Sequence, residues 1–150
     1  MSQVPPHAVS VALLLFAGAC AQEGGLQVAD RDFTQFRDEV YPVLMRDCAF
    51  HTCHGSDKRF FRLTGSARGR LNAGTKALAE VLPEEITFSY TRSLAMIDAQ
   101  DPGASLLLRK PLAPALGGMG HLGADNYGRN VFESTTDPEY LTLARWVFGE

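Results

Sequence analysis

Residues 32–47 place apolar side chains at Phe33, Phe36, Val40, Val43 and Leu44. These fall on one stripe of a 3.6-residue period, which predicts an amphipathic helix. Asp32 supplies a plausible N-cap. Pro42 interrupts the run. It has no N–H to give a preceding carbonyl, so a kink or a fresh helix start is expected there. A second helix is predicted from Pro83, with Glu84 and Glu85 complementing its positive end. Ile86, Tyr90, Leu94 and Ile97 form its apolar stripe, Met96 lies near its end as core filler, and Asp101-Pro102-Gly103 stops it. A third helix opens at Asp137-Pro138-Glu139, an N-cap followed by proline and an acid. Tyr140, Leu143 and Val147 share one face of it, with Leu141, Ala144, Phe148 and the sole tryptophan, Trp146, beside them. Ser105 to Pro111 reads as a short buried segment. The remaining stretches show no such period, so the expected class is mainly α with long irregular loops.

The start of the chain has a different pattern. Ala8 to Gly18 is an unbroken run of apolar and small residues. A bilayer span takes about 20 apolar residues, so the run is too short to cross and fits the apolar region of a secretory leader. No Lys or Arg precedes it; His7 and the amino terminus supply the positive charge. Ala17-Gly18-Ala19-Cys20 resembles a bacterial lipobox, with Ala17 where leucine is more usual. That resemblance implies lipidation of Cys20 as the mature N-terminus. Cleavage without lipid, or a buried N-terminal helix, are the competing readings. Ala21 to Gln27 is polar with two glycines and reads as a flexible tether. Ala21 after the lipidated cysteine implies sorting to an outer membrane. The expected organisation is a leader over 1–19, a tether over 20–31 and one domain over 32–150. The formal net charge is −3, and residues 1–19 carry no Asp, Glu, Lys or Arg. Nothing in that balance argues for nucleic acid.

The candidate chemistry lies in Cys48-Ala49-Phe50-His51-Thr52-Cys53-His54. Two thiols followed at once by an imidazole resemble the haem-attachment site of a c-type cytochrome. The usual form is C-x-x-C-H; here four residues separate the cysteines. Each thiol can add across a haem vinyl group, and the adjacent histidine is then carried to the iron as proximal ligand. Three other readings stay open. The thiols could form a local Cys48–Cys53 disulfide in an oxidising compartment. Cys48, His51, Cys53 and His54 could hold zinc. Or the residues could be chemically idle. The chain has three cysteines. If Cys20 carries lipid, both others sit in this motif and none is left for a disulfide framework.

Phe36-Arg37-Asp38-Glu39-Val40-Tyr41-Pro42-Val43-Leu44, a short spacer, Cys48 and then Cys53-His54-Gly55 resemble the planctomycete-type cytochrome c domain. The match covers about 20 residues here. It extends more loosely to the C-terminal third, through Ser105-Leu106-Leu107-Leu108-Arg109-Lys110-Pro111 and Gly117-Gly118-Met119-Gly120-His121-Leu122-Gly123. The resemblance implies a small cytochrome c-like helical domain with one covalent haem c on Cys48 and Cys53. It implies His54 as proximal ligand and His121 as the preferred distal ligand, with Met119 the alternative. It also implies that the first and last helices cross, with Phe36 and Val40 meeting the Leu143–Trp146–Val147 face.

Residues 57–70 hold Lys58, Arg59, Arg62, Arg68 and Arg70 against one acid, Asp57. They read as a solvated loop, or as arms of which Arg59 and Arg62 meet the haem propionates through guanidinium–carboxylate pairs. Phe60 and Phe61 would then cover the haem edge, and His51 would face solvent. The functional expectation is one-electron transfer to redox partner proteins in the periplasm, with the membrane reached through a lipid anchor. An alternative is a non-haem periplasmic lipoprotein with a Cys48–Cys53 disulfide, acting as a structural or interaction module. A third class is a haem sensor or enzyme subunit with an open sixth position.

Overall fold

The computed structural model describes residues 29–121 and 131–150. The leader over 1–19, Cys20, the first part of the tether, and Leu122 and Gly123 lie outside the described residues. Among the described residues the fold is mainly helical, and strand pairing is limited to one isolated bridge between Leu112 and Phe132. No helix among them is long and apolar enough to cross a membrane.

The first helical run has three parts: α1 (Phe33–Gln35), a π-helical segment (Phe36–Val40) and α2 (Tyr41–Asp47). Asp32 caps the run by accepting from the Gln35 N–H. Pro42 sits in the first turn of α2, directly after the π-helical segment. A proline ring crowds the carbonyl four residues earlier and cannot bond to it. That carbonyl belongs to Asp38, inside the π segment. There the Tyr41 N–H reaches back to Phe36 O, five residues away. The widened turn leaves room for the proline, and α2 then leads to Cys48.

This run packs against the last helix, α5 (Pro138–Phe148). Phe36, Val40, Leu44, Leu143, Trp146 and Val147 are fully buried. The Phe36 ring lies 5.1 Å from Trp146 and 5.3 Å from Tyr90. Trp146 Nε1 donates to Asp32 O at 2.9 Å, and Arg31 Nε donates to Val147 O at 2.7 Å. The start and end of the domain are thus fastened by polar bonds as well as by the shared core. Asp137 caps α5 by accepting from the Glu139 and Tyr140 N–H groups, and Gly149 ends it in the left-handed region at φ 77°.

The second predicted helix, α3, spans Pro83–Leu94. It ends sooner than its apolar pattern suggests, so Ile97 falls beyond it. Local bonds replace the next turn: Asp98 accepts from the Gln100 and Asp101 N–H groups at 2.9 and 3.0 Å, and Ser105 Oγ accepts from the Asp98 N–H at 3.0 Å. Its apolar stripe packs against the core as expected, but a polar face beside that stripe is buried more deeply. Ile86, Tyr90 and Leu94 are only partly buried, while Glu85, Ser89 and Ser93 are fully buried. Glu85 is therefore more than an acid at a helix start. It accepts from Arg70 Nε and Nη2 at 2.9 and 2.7 Å, and from the Leu71 and Leu82 N–H groups at 3.0 and 3.1 Å. Ser89 Oγ accepts from the Thr64 N–H at 3.1 Å.

The arginine-rich segment forms turns and is not simply a solvated loop. Arg70 also donates to the carbonyls of Ala79 and Glu80 at 2.7 and 2.9 Å. Arg68 donates from Nε to Met45 O at 2.8 Å and stacks over the Phe50 ring at 4.4 Å. Arg62 donates to Arg70 O at 2.7 Å. These side chains satisfy carbonyls of the loops and, at Met45, one at the C-terminal end of α2.

Candidate functional site

Cys48 stands at the C-terminal end of α2, where its N–H bonds to Leu44 O at 2.9 Å. The chain then closes a tight loop. The Cys53 N–H bonds to Phe50 O at 2.8 Å, the His54 N–H to Cys48 O at 3.0 Å and the Gly55 N–H to Phe50 O at 2.9 Å. A side chain at position 55 would collide with the Ala49 carbonyl oxygen, so the loop needs glycine there. The Leu63 N–H bonds to His54 O at 2.7 Å and ties the following segment to the histidine.

His54 Nδ1 lies 2.8 Å from Phe61 O, and its ring packs 4.8 Å from the Phe61 ring. A carbonyl oxygen only accepts, so Nδ1 carries the proton and a neutral ring keeps its lone pair on Nε2. Burial is the main influence holding His54 below the ordinary histidine value. The Phe61 carbonyl opposes this, and the nearby His121 and Arg59 add to the lowering. The neutral, ligand-competent form is thereby favoured.

Close to it lies His121, 67 positions further along the chain. The two imidazole centroids are 5.8 Å apart, with ring planes inclined at 55°. Both rings line one cavity of about 960 Å³, and so do Cys48 and Cys53. Leu44, Phe61, Met96, Leu107 and Leu143 make much of its apolar wall. Arg46, Arg59 and Lys110 contribute cations, and Asp47, Glu133, Asp137 and Glu139 contribute carboxylates. Arg46 bridges two of these acids, reaching Asp47 at 2.6 Å and Glu139 at 2.9 Å.

The expected residues are not all gathered here. Cys48, Cys53, His54, His121, Arg59, Phe60 and Phe61 line the cavity. Arg62 does not; its guanidinium stands near Phe88, 5.9 Å from the ring centroid. Met119 does not line it either, and its N–H is bonded to Arg109 O at 2.7 Å. His51 is exposed and outside it. Several lining residues escaped the sequence reading: Arg46, Asp47, Lys110 and Glu133 are among those without an assigned role there, and Met96 stands there as core filler. Periodicity could not separate a residue lining a cavity from one filling a core.

Cys48 and Cys53 are free thiols. Burial pushes the Cys48 thiol up to about 12, helped by Asp47 and Cys53 and opposed by Arg46. Among the described residues no group of three or more His, Cys, Asp or Glu side chains is placed to hold a bare metal ion. The zinc arrangement of Cys48, His51, Cys53 and His54 is therefore not formed. No family model matches the chain, and neither does any curated protein or solved structure.

Proposed function

We propose that the chain is a monohaem c-type cytochrome that transfers one electron at a time. Cys48 and Cys53 would hold the haem as thioethers, His54 would be its proximal ligand and His121 its distal ligand. One observation carries this reading: two histidines stand close together in the wall of one largely apolar cavity that both cysteines also line. Imidazole nitrogens bind first-row metals such as zinc at about 2.0–2.1 Å, so two such bonds plus half a ring on either side need a centroid separation of about 6 Å. The observed separation is 5.8 Å. The cavity volume of about 960 Å³ lies at the upper end of the roughly 300–1,000 Å³ range of ligand pockets.

Bound haem supplies an iron couple whose potential is lower with a His–His pair than with His–Met. The chain's own groups set the surroundings. The Phe61 carbonyl fixes the His54 tautomer and ring orientation, as outer partners of ligating histidines do. Met96, Leu107 and Leu143 line the cavity and would exclude water from a ligand held there. Arg46 and Arg59 would offer cations to its carboxylates. This reading takes the fold as cytochrome c-like and the chain as an electron carrier without catalytic residues. It places the domain outside the cytoplasm, lipid-anchored through Cys20 and serving redox partner proteins.

The test is the intact mass of the denatured protein. It should be expressed with haem-maturation machinery and carry Cys20→Ser to prevent lipidation. The expected mass exceeds that of the chain by one haem, and the increment disappears in the Cys48→Ser/Cys53→Ser variant. An unmodified chain, or one lighter by two hydrogens through a Cys48–Cys53 disulfide, would refute the proposal.

A further inference from the structure

A distal ligand has to be held still, and His121 follows a run that is poor at holding anything. Gly117, Gly118 and Gly120 precede it, and glycine restricts its backbone least of all residues. Two consecutive residues at the end of α4 (Leu106–Arg109) and just beyond it bond to the backbone of this run. Arg109 accepts the Met119 N–H on its carbonyl at 2.7 Å and donates from Nε to Gly117 O at 3.3 Å. Lys110 donates from Nζ to Gly120 O at 3.3 Å. The Gly118 N–H bonds to Ala113 O at 3.2 Å. A side chain at position 118 would collide with the Leu112 carbonyl, so the run lies tight against residues 112–113. Of these contacts, the Lys110 bond reaches the residue next to His121, and Lys110 itself lines the cavity.

We infer that Lys110 is a positioning residue for the distal ligand: its ammonium holds the Gly120 carbonyl and keeps His121 facing His54. The inference rests on the haem reading above. It assigns the lysine to backbone restraint, whereas a lysine serving a haem carboxylate would act on the potential and leave the distal ligand alone.

The test uses the haem-loaded protein with Lys110→Met, Lys110→Arg and, as a remote control, Lys76→Met. Carbon monoxide can bind the reduced site only when His121 has left, so its binding rate reports how often the distal position opens. Losing one bond worth about 1 kcal/mol corresponds to about a fivefold rise in that population at 25 °C. Lys110→Met should therefore keep its covalent haem and bind carbon monoxide about fivefold faster. Lys110→Arg, which retains a cationic donor, should restore the wild-type rate, and Lys76→Met should match it throughout. An unchanged rate in Lys110→Met overturns the inference, as does a shifted potential with an unchanged rate. Should Lys110→Met fail to retain haem, Lys110→Gln takes its place, with the same expected gain and the same refuting result. If the parent protein carries no haem, the mass measurement reports that separately and both readings fall.

Discussion

Arg70→Met should cost this domain far more than the loss of a surface charge. The Arg70 side chain is 6% exposed and that of its partner Glu85 is 0% exposed. The pair is bidentate, at 2.9 and 2.7 Å. Removing one member of such a pair leaves the other charge stranded, which typically costs about 3–5 kcal/mol. Two backbone N–H groups, from Leu71 and Leu82, would still serve the carboxylate and temper that loss. The carbonyls of Ala79 and Glu80 would lose their donor and add to it. The expected loss is therefore about 3 kcal/mol, a large part of the roughly 5–15 kcal/mol that holds a domain folded. Arg46–Glu139 is the internal comparison. Its side chains are 57% and 32% exposed, and pairs of that kind contribute about 0.2–1 kcal/mol. Urea unfolding should be followed by the fluorescence of Trp146 and by circular dichroism. Arg70→Met should lower the unfolding free energy by about 3 kcal/mol with little dependence on salt. Glu139→Gln should lower it by less than about 1 kcal/mol, and added salt should erase that difference. Equal and small losses in the two variants would refute the idea that the buried pair organises residues 62–85.

Other consequences concern the site. His121→Ala in the haem-loaded protein should leave a site that binds carbon monoxide without delay, whereas Met119→Leu should leave the visible spectrum unchanged, because Met119 does not line the cavity; the reverse pattern would exchange their roles. In the haem-free protein the Cys48 thiol, raised to about 12, should resist alkylation at pH 8. Its labelling by iodoacetamide, read by peptide mass, should be about a hundredfold or more slower folded than in urea, since the thiolate is the nucleophile. Comparable rates would show that the thiol is not shielded. Burial keeps the His54 value below 6.5 in the fold, so as pH falls the unfolded chain takes up that proton first. Stability of the haem-free protein should be full above about pH 6.5 and decline below it. His54→Gln should flatten that part of the urea-midpoint profile, and an identical profile in the variant would exclude His54 as its source.

Sequence pattern located the elements better than it oriented them. Asp32 and Asp137-Pro138 marked helix starts because capping chemistry is local. The crossing of the first and last helices came from family resemblance, and the Phe36–Trp146 contact has the expected partners. The apolar stripe of α3 does meet the core, but the buried polar face beside it went unread for a physical reason. Glu85, Ser89 and Ser93 recur every four residues, and such a stripe ordinarily meets water. Here Glu85 meets Arg70, Ser89 meets Thr64 and Ser93 turns back on the Ser89 carbonyl, and Arg70 lies in a segment without any periodic signal. A buried polar face is visible only once its partner is placed. The same holds for the cavity: the Cys48-to-His54 motif is contiguous, but the pairing of His54 with His121 depends on the whole intervening chain. The exclusion of Arg62 and Met119 could not be read at all, because it turns on where loop backbones run.

The four-residue spacing between the cysteines is also answered by distant parts of the chain. Going from two intervening residues to four costs only about 0.6 kcal/mol in loop closure, by the usual logarithmic dependence on length. Arg68 supplies an interaction of that size. Its guanidinium lies 4.4 Å from the ring centroid of Phe50, one of the four intervening residues, and a cation–ring contact at an exposed site contributes about 0.5–1 kcal/mol. The same side chain bonds to Met45 O near the end of α2, so it joins the helix that delivers Cys48 to the loop that leads to Cys53. Gly69, one residue later, packs so closely on the Gly55 carbonyl that a side chain could not fit between them. The wide spacing and the arginine- and glycine-bearing segment that follows it therefore form one structural device. A change in either would be felt first in how the two thiols are presented to a common ligand.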